Sequence, residues 1–505
     1  MKQSAASLYA TLSAKRNDAL VKARECSRLT ITGLIPADGA SEHSIVQQPY
    51  SSVGAQRVSN LSSRLLMSLF PVSIPFFQYR LSPESMRLLA PDEIPEASQR
   101  MAELGYAIYD LMDSAVIRQT LTEAIKHLVV GGNVLIYIAP DRQARLYRLD
   151  QYVVRRDTFG HPLNIIVREC VYPSELSEEI RLACKIKDPT SVGEQRVDVY
   201  TVVERVGDKA VQYQEINGIE VPDSRGEVAD LDKGWLALRW RAIAGCDYGE
   251  GHAGDYLGDL ITLDDLTGSL AGSTAIAART LFMVAPNSNL SVNEIAEARN
   301  GDILYGEASS VSTVQSGKYN DLSVCRQAIQ DIERRLADAF LQTSNAIRDA
   351  ERVTAEEIRK VTEELETTLG GVLTTLSAEL QLPLVRRFQY LGAKAGVIPA
   401  LSKEIKPQIS TGLSALGKAA SANTLRSFIS DLQAALGPQA AAAILKSDVI
   451  ARELGRAAGV ENLEALLKTS DEQAADQQNA MVGQMASSSA PEILRQVGAA
   501  TQAHN

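Results

Sequence analysis

The chain has 505 residues, room for about three domains, and at 45% hydrophobic and 22% charged it has an ordinary globular composition. Its net charge of −11 argues against a protein that grips nucleic acid over its whole surface, and aromatics at only 5% leave the cores to Leu, Ile, Val and Ala. Five cysteines, an odd number with no CxxC spacing, favour a reduced, cytosolic setting. The longest uncharged apolar stretch, Leu65 to Tyr79, is broken by Pro71 and Pro75 and is too short to span a membrane.

Residues 1–30 read as an amphipathic helix with Lys15, Arg16, Lys22 and Arg24 and without a secretory apolar core. Residues 31–52, rich in Gly, Pro, Ser and Gln, read as an extended loop. A helix is expected from about Ser51 to Leu69, ending at Pro71. Ser82-Pro83 marks another start, with helices over 83–90 and 95–130 and a break at Asp113 and Ser114. Residues 131–245 change character. NVLIYI, ARLYRL, QYVVRR and LNIIVRECV are short β-rich runs, and a turn at 157–160 separates the last two. After a helix near 174–187 come RVDVYTVVERV and KAVQYQEI, then Asn217-Gly218, a type I′ hairpin signal, and GIEV. The expectation is an antiparallel β-rich region inside a mainly helical α+β chain.

Residues 254–280 form a helix rich in small side chains, among them Gly268, Gly272 and Ala275, which lets a neighbour approach closely. Residues 281–318 are loop- and turn-rich, with a short helix capped by Ser291 and Glu294. Residues 319–342 form a second helix with Leu322, Cys325, Ile329, Ile332, Leu336 and Ala339 at steps of three and four. TSNAIRDAERV, residues 343–353, links it to a long helix with a clear start. Thr354 and Glu357 make a capping box, flanked by the staple positions Val353 and Ile358. Ile358, Val361, Leu365, Leu369, Val372, Leu376 and Leu380 line one face. Unbroken to about Leu391, that helix would span roughly 55 Å, with Gly370-Gly371 and Pro383 as places to bend. Beyond Pro399 the chain is Ala/Gly/Ser-rich with short helices, and its end is Gln/Ala/Ser-rich and expected to be mobile.

No motif supports catalysis. Gly249, Gly251 and Gly254 match GxGxxG, yet no βαβ unit follows, so a flexible hinge before a helix is the better reading. Gly412 to Lys418 approaches a nucleotide-binding P-loop, but Ala419 stands where a hydroxyl must reach Mg²⁺. The acid pairs Asp264-Asp265, Glu356-Glu357 and Glu363-Glu364 read as solvated helix faces. The five histidines show no ligand spacing, and no Ser or Cys has an arguable His partner. No cofactor or metal is expected.

The long-helix segment VTAEEIRKVTEELETTLGGVLTTLSAELQLPLVRR (353–387) resembles the head-to-tail connector, or portal, family of short-tailed bacteriophages. VGAQRVSNLSSRLLMSLFP (53–71), EAIKHLVVGGNVLIYI (123–138), LYRLDQYVVRRDTFG (146–160), GDYLGDL (254–260) and ISTGLSALGK (409–418) resemble it in the same order, so the likeness covers about residues 45 to 420. It implies a wing, stem, clip and crown arranged as a ring with a central channel. Residues 1–253 would hold the N-terminal helices and β-rich wing, 254–280 and 319–342 the two stem helices, and 281–318 the clip. Residues 343–353 would be the tunnel loop, 354–400 the long wing helix, 401–470 the crown and 471–505 a mobile tail. Asn345, Arg348 and Arg352 would face the channel and touch phosphates without reading bases.

The resemblance also implies a homododecamer at one capsid vertex of the virion, assembled in the host cytoplasm without a membrane anchor. It would conduct double-stranded DNA during packaging and ejection. Its implied partners are scaffolding and major capsid proteins, the packaging terminase, a tail adaptor and internal core proteins. Two other readings stay open: an ATP-driven DNA motor subunit built around Gly412–Lys418, marked by nucleotide turnover, and a scaffolding or adaptor protein without a channel, marked by the absence of a ring.

Overall fold

The computed structural model describes residues 3–39, 47–71, 75–81, 93–186, 195–230, 233–277, 281–286, 307–314, 319–342, 355–398, 407–411 and 421–445, with a few isolated positions besides. By its contacts the chain divides into a unit of residues 1–413 and a second of residues 414–505.

The first unit begins with helix α1 (Ala5–Leu29), whose N-cap Ser4 accepts from the Ser7 amide. Its buried stripe runs Ala5, Tyr9, Leu12, Arg16, Leu20 and Ala23, steps of three and four with one charge in their midst. Helix α2 (Val53–Leu69) buries Val58, Leu61, Leu65 and Leu69. Helices α3 (Glu93–Ser114) and α4 (Arg118–Gly131) are separated by the expected break, where Val116 takes a φ of 51°. A helix expected over 83–90 lies outside the described residues. Helix α4 ends at Gly132, a left-handed C-cap with φ 73°.

Two antiparallel sheets follow. Strands β2 (Asn133–Ile138) and β3 (Ala144–Tyr147) join β10 (Trp235–Arg239) in the order β10-β2-β3. Strands β4 (Tyr152–Arg156), β5 (Pro162–Val171), β6 (Val197–Val206), β7 (Lys209–Ile216) and β8 (Ile219–Glu220) form a meander, with β9 (Gly226–Ala229) on the free side of β7. Helix α5 (Glu178–Ala183) stands between β5 and β6. The β7–β8 turn is type I′ as expected, with Asn217 at φ 51° and Gly218 at φ 76°. The pleat explains why this sheet is buried on both faces. Tyr152, Val154, Ile165, Val167 and Val203 join one core, while Val153, Ile166 and Val202 meet Ala5, Tyr9 and Leu12 of α1 on the other.

The short helix α6 (His252–Asp255) leads into α7 (Leu257–Ala277), which pairs with α8 (Tyr319–Ala339). Between them the expectation is loops, turns and one short helix. The structure instead pairs β11 (Leu281–Val284) with β12 (Val311–Val314), while the short helix expected at Ser291 lies outside the described residues. The long helix is articulated. Helix α9 (Ala355–Leu376) kinks at Leu369 (φ −120°, ψ 22°), directly before Gly370-Gly371. A π-helical turn (Ser377–Gln381) then precedes α10 (Leu382–Lys394), where Pro383 brings no N–H to the ladder. The anticipated stripe is buried at Leu365, Leu369, Leu376 and Leu380 and continues to Leu384, Phe388 and Leu391. The side chains of the Thr354 capping box lie outside the described residues. One strand was not anticipated: β13 (Pro407–Thr411) pairs antiparallel with β1 (Phe77–Leu81). In the second unit, α11 (Ser421–Leu436) and α12 (Pro438–Ile444) are joined at Gly437, φ 81°. No helix among the described residues is long and apolar enough to cross a membrane.

Buried His127 on α4 gives the fold a pH dependence. Its Nδ1 has no partner among the described residues, and burial pushes its pKa from the usual 6.5 to about 4. Between those values the unfolded chain binds a proton that the folded chain does not, so stability falls as pH drops from about 6.5 to about 4. The loss is at most about 3 kcal/mol. His127→Leu is expected to shrink the difference in melting temperature between pH 7 and pH 4.5. An unchanged difference would show that other groups carry the acid sensitivity.

Candidate functional site

Asn345, Arg348 and Arg352 all lie in 343–353, outside the described residues; what the structure describes is the frame on either side. Helix α8 enters that frame with a Schellman ending. The Leu341 amide donates to the Asp338 carbonyl at 3.1 Å and the Gln342 amide to the Ala337 carbonyl at 2.8 Å. Leu341 takes the left-handed position, φ 56°, where glycine is usual, and it is held there by burial. The neighbouring Phe340 is fully buried, its ring edge-on to His252 at 4.8 Å. His252 Nε2 donates to the Ala339 carbonyl at 2.9 Å, and burial lowers its pKa, which favours the neutral ring. Arg64, buried on α2, donates to the Leu341 carbonyl and pairs with Glu364 on α9. One guanidinium therefore ties the end of α8 to the early part of the long helix.

The far end of the long helix is fixed by a second buried arginine cluster. Glu379, in the π-helical turn, accepts from Arg239 Nε at 3.0 Å, from its Nη2 at 2.5 Å and from its backbone amide at 2.9 Å. Arg156 stands 3.9 Å away and donates to the carbonyls of Ala237, Asp247 and Gly160. Burial lowers the Arg156 pKa, opposed by Glu379. Further along, Arg387 donates to the Ile138 carbonyl at 3.0 and 3.2 Å, and Gln381 Nε2 donates to the Leu69 carbonyl at 2.7 Å. The sequence reading passed over these residues. The available signal was polar side chains, Gln381 and Arg387, inside an otherwise apolar stripe.

The paired helices α7 and α8 are joined by Arg335 Nη2 and Asp259 at 2.7 Å. Asp264, read as part of a solvated face, is buried instead. It accepts from the Tyr50 amide at 2.6 Å and lies 3.7 Å from Arg28. Glu364 likewise has a partner in Arg64. Past Gly268, which lies against the Tyr50 ring, α7 loses its cover. Ala271 to Ile276 are exposed, as are Met283 on β11 and Val324 on α8. Among the described residues, no atom outside its own neighbourhood lies within 4 Å of where a Gly272 side chain would start.

The two glycine motifs have structural roles. Gly249 and Gly251 are buried, and Asn133 clamps Gly249 by hydrogen bonds at 2.7 and 2.8 Å. A methyl on Gly251 would meet Gly132 N and Val130 O at 2.7 Å. This is a tight backbone crossing and not the flexible hinge expected from the sequence. The strand before Gly412 sits in a two-stranded antiparallel pair, unlike the parallel sheet of a P-loop fold; the loop itself lies outside the described residues.

The chain matches the family model for bacteriophage head to tail connecting proteins over residues 2–464. It is 33% identical over 479 residues to the portal protein of Escherichia phage T7, covering 93% of this chain and 89% of that protein. It is also 33% identical over 482 residues to the portal protein of Enterobacteria phage T3, covering 94% and 90%. Among solved structures, a chain from the neck of an empty GTA particle, computed with C6 symmetry, aligns with a TM-score of 0.38 at 14% identity, over 80% of this chain and 89% of that one.

Proposed function

This chain belongs to the bacteriophage head-to-tail connecting proteins, and from that premise we propose that it is the portal of a short-tailed phage, a non-enzymatic conduit for double-stranded DNA at one vertex of the virion. The observation that carries the reading is the family match along residues 2–464, with 33% identity to two portal proteins over nearly the whole chain. We infer a homododecameric ring that assembles with scaffolding and major capsid proteins, receives the packaging terminase, and later holds a tail adaptor and internal core proteins. In this reading 281–318 is the clip between the stem helices α7 and α8, 401–470 the crown and 131–245 the body of the wing. A net charge of −11 suits a conduit, because phosphate contacts add up and a passage must not hold the polyanion it conducts.

The uncovered half of α7 supports assembly through the stem. Its small residues Ala271 to Ala275 are exposed, as are the apolar Ile276, Met283 and Val324. Negative-stain microscopy of the purified chain should show rings with a central hole, and their absence would overturn the reading. Gly272→Trp is expected to give monomers or irregular oligomers. Space is open around Gly272 within the subunit, so the variant should fold, while overpacking between copies costs about 1–3 kcal/mol per contact. Normal rings from this variant would remove α7 from the interface.

We assign Asn345, Arg348 and Arg352 to the loop facing the DNA. Replacing Arg348 and Arg352 together by Ala should change stability by less than about 0.5 kcal/mol and leave assembly intact. The effect should appear as poor filling of particles or loss of packaged DNA, independent of genome sequence. Particles that fill and hold DNA like the parent would make these arginines ordinary surface charges.

A further inference from the structure

Arg16 is the one charged residue in the buried stripe of α1. It is 7% exposed, and no carboxylate lies within ion-pairing distance of it among the described residues. Its Nη1 is occupied by the Tyr152 carbonyl at 2.7 Å, the Asp150 carbonyl at 3.1 Å and the Tyr9 hydroxyl at 3.2 Å. Its Nε is buried with no partner among the described residues. Buried cations are normally matched by an anion, and carbonyl dipoles supply only part of that compensation.

Arg16 lines a cleft of about 390 Å³ between α1, the loop after it, the β3–β4 connection and β5. Arg24, Arg148 and Arg168 line the same cleft, with Ser13 and Asn17 as neutral polar groups. Two carboxylates also face it, and each is engaged: Asp38 with Arg24 at 3.2 Å and Asp150 with Arg148 at 3.1 Å. Arg168 pairs at 3.0 Å with Asp198. The lining therefore carries four guanidinium groups against two acids, and the unmatched charge belongs to the residue least exposed to water.

We propose that this cleft is an oxyanion site for a phosphate-class dianion, with Arg16 as the principal donor. Several guanidinium groups converging with a hydroxyl and an amide suit a tetrahedral anion with three or four acceptor oxygens better than a single carboxylate. The cleft lies on the wing, on residues apart from those assigned to the DNA channel. The proposal stands whether or not that assignment holds.

The test is calorimetric titration of the full chain with inorganic phosphate, with acetate and chloride at matched ionic strength as comparisons. Saturable phosphate binding, weaker or absent for acetate and chloride, is the expected result. Arg16→Lys keeps the charge but loses the fork and should weaken binding about tenfold or more. Arg168→Gln removes a half-exposed side chain with little consequence for folding and should weaken binding several-fold. Lys209→Gln, exposed on β7 away from the cleft, should change nothing. Equal responses to all three anions would mean general screening and overturn the site, as would equal losses in Lys209→Gln and Arg168→Gln. Phosphate binding unaffected by both cleft variants would also overturn it.

Discussion

Glu379→Ala is expected to destabilise the chain by about 3–5 kcal/mol, among the largest effects of any single substitution. The carboxylate is the anion that compensates two enclosed guanidinium groups, Arg239 and Arg156, and three of its hydrogen bonds go to Arg239 alone. Removing it leaves two buried cations facing carbonyls, and the desolvation of Arg239 is no longer offset. Glu379→Gln keeps an acceptor oxygen and should lose less. In the double variant Glu379→Ala with Arg239→Leu, part of the loss should return, because the stranded charge is gone as well. Thermal unfolding of all four proteins measures this. A loss below about 1 kcal/mol for Glu379→Ala would show that water replaces the carboxylate freely and that the cluster is not a structural anchor.

Gly132→Ala should be comparably severe, for a geometric reason. The residue has a φ of 73°, which costs an L-residue about 1–2 kcal/mol by itself. Its new methyl would also lie 2.3 Å from Gly251 N and 2.4 Å from the Glu250 carbonyl carbon, both backbone atoms that cannot rotate away. Displacing that crossing would also disturb the Asn133–Gly249 hydrogen bonds, so a total of about 3–5 kcal/mol is expected. Gly218→Ala separates the two terms. Its φ of 76° is nearly the same, but nothing lies within 4 Å of the added methyl, so it should cost only about 1 kcal/mol. Similar melting temperatures for the two variants would mean that the Gly132–Gly251 crossing yields easily.

Local structure was readable wherever a single segment carried its own signal. Asn217-Gly218 set the hairpin, Asp113-Ser114 set the helix break, and leucines at steps of three and four set the buried face of the long helix. The bend points Gly370-Gly371 and Pro383 were legible for the same reason, since glycine and proline act on their own backbone. Partnerships across the chain were not. The β1–β13 pair joins residues more than 300 positions apart, and PQIST carries no strand signal of its own without its partner. Asp264 and Glu364 resembled surface acids because an arginine or a backbone amide from a distant segment leaves no mark in the local pattern. The Gly249 and Gly251 spacing was noticed, but its meaning depends on Gly132, which belongs to a different element. The loop expected to carry function gave only charge and position to read, while its family placement came from the ordered run of motifs around it.

The long helix behaves mechanically as jointed rods. Its joints are the kink at Leu369 and the π-helical turn at 377–381, and Glu379 pins the second joint to Arg239 on β10 as a fulcrum. From Ala355 to Leu369 the first rod is about 21 Å long at 1.5 Å per residue. A swing of about 10° at Leu369 would thus carry its tip through about 3–4 Å. Arg64 ties both Glu364 and the Leu341 carbonyl at the end of α8 to α2, so the two elements share one anchor. Small angular changes at the glycine pair would thereby become displacements as large as an atomic contact at Ala355, the first residue of the long helix, with Glu379 as the fixed point.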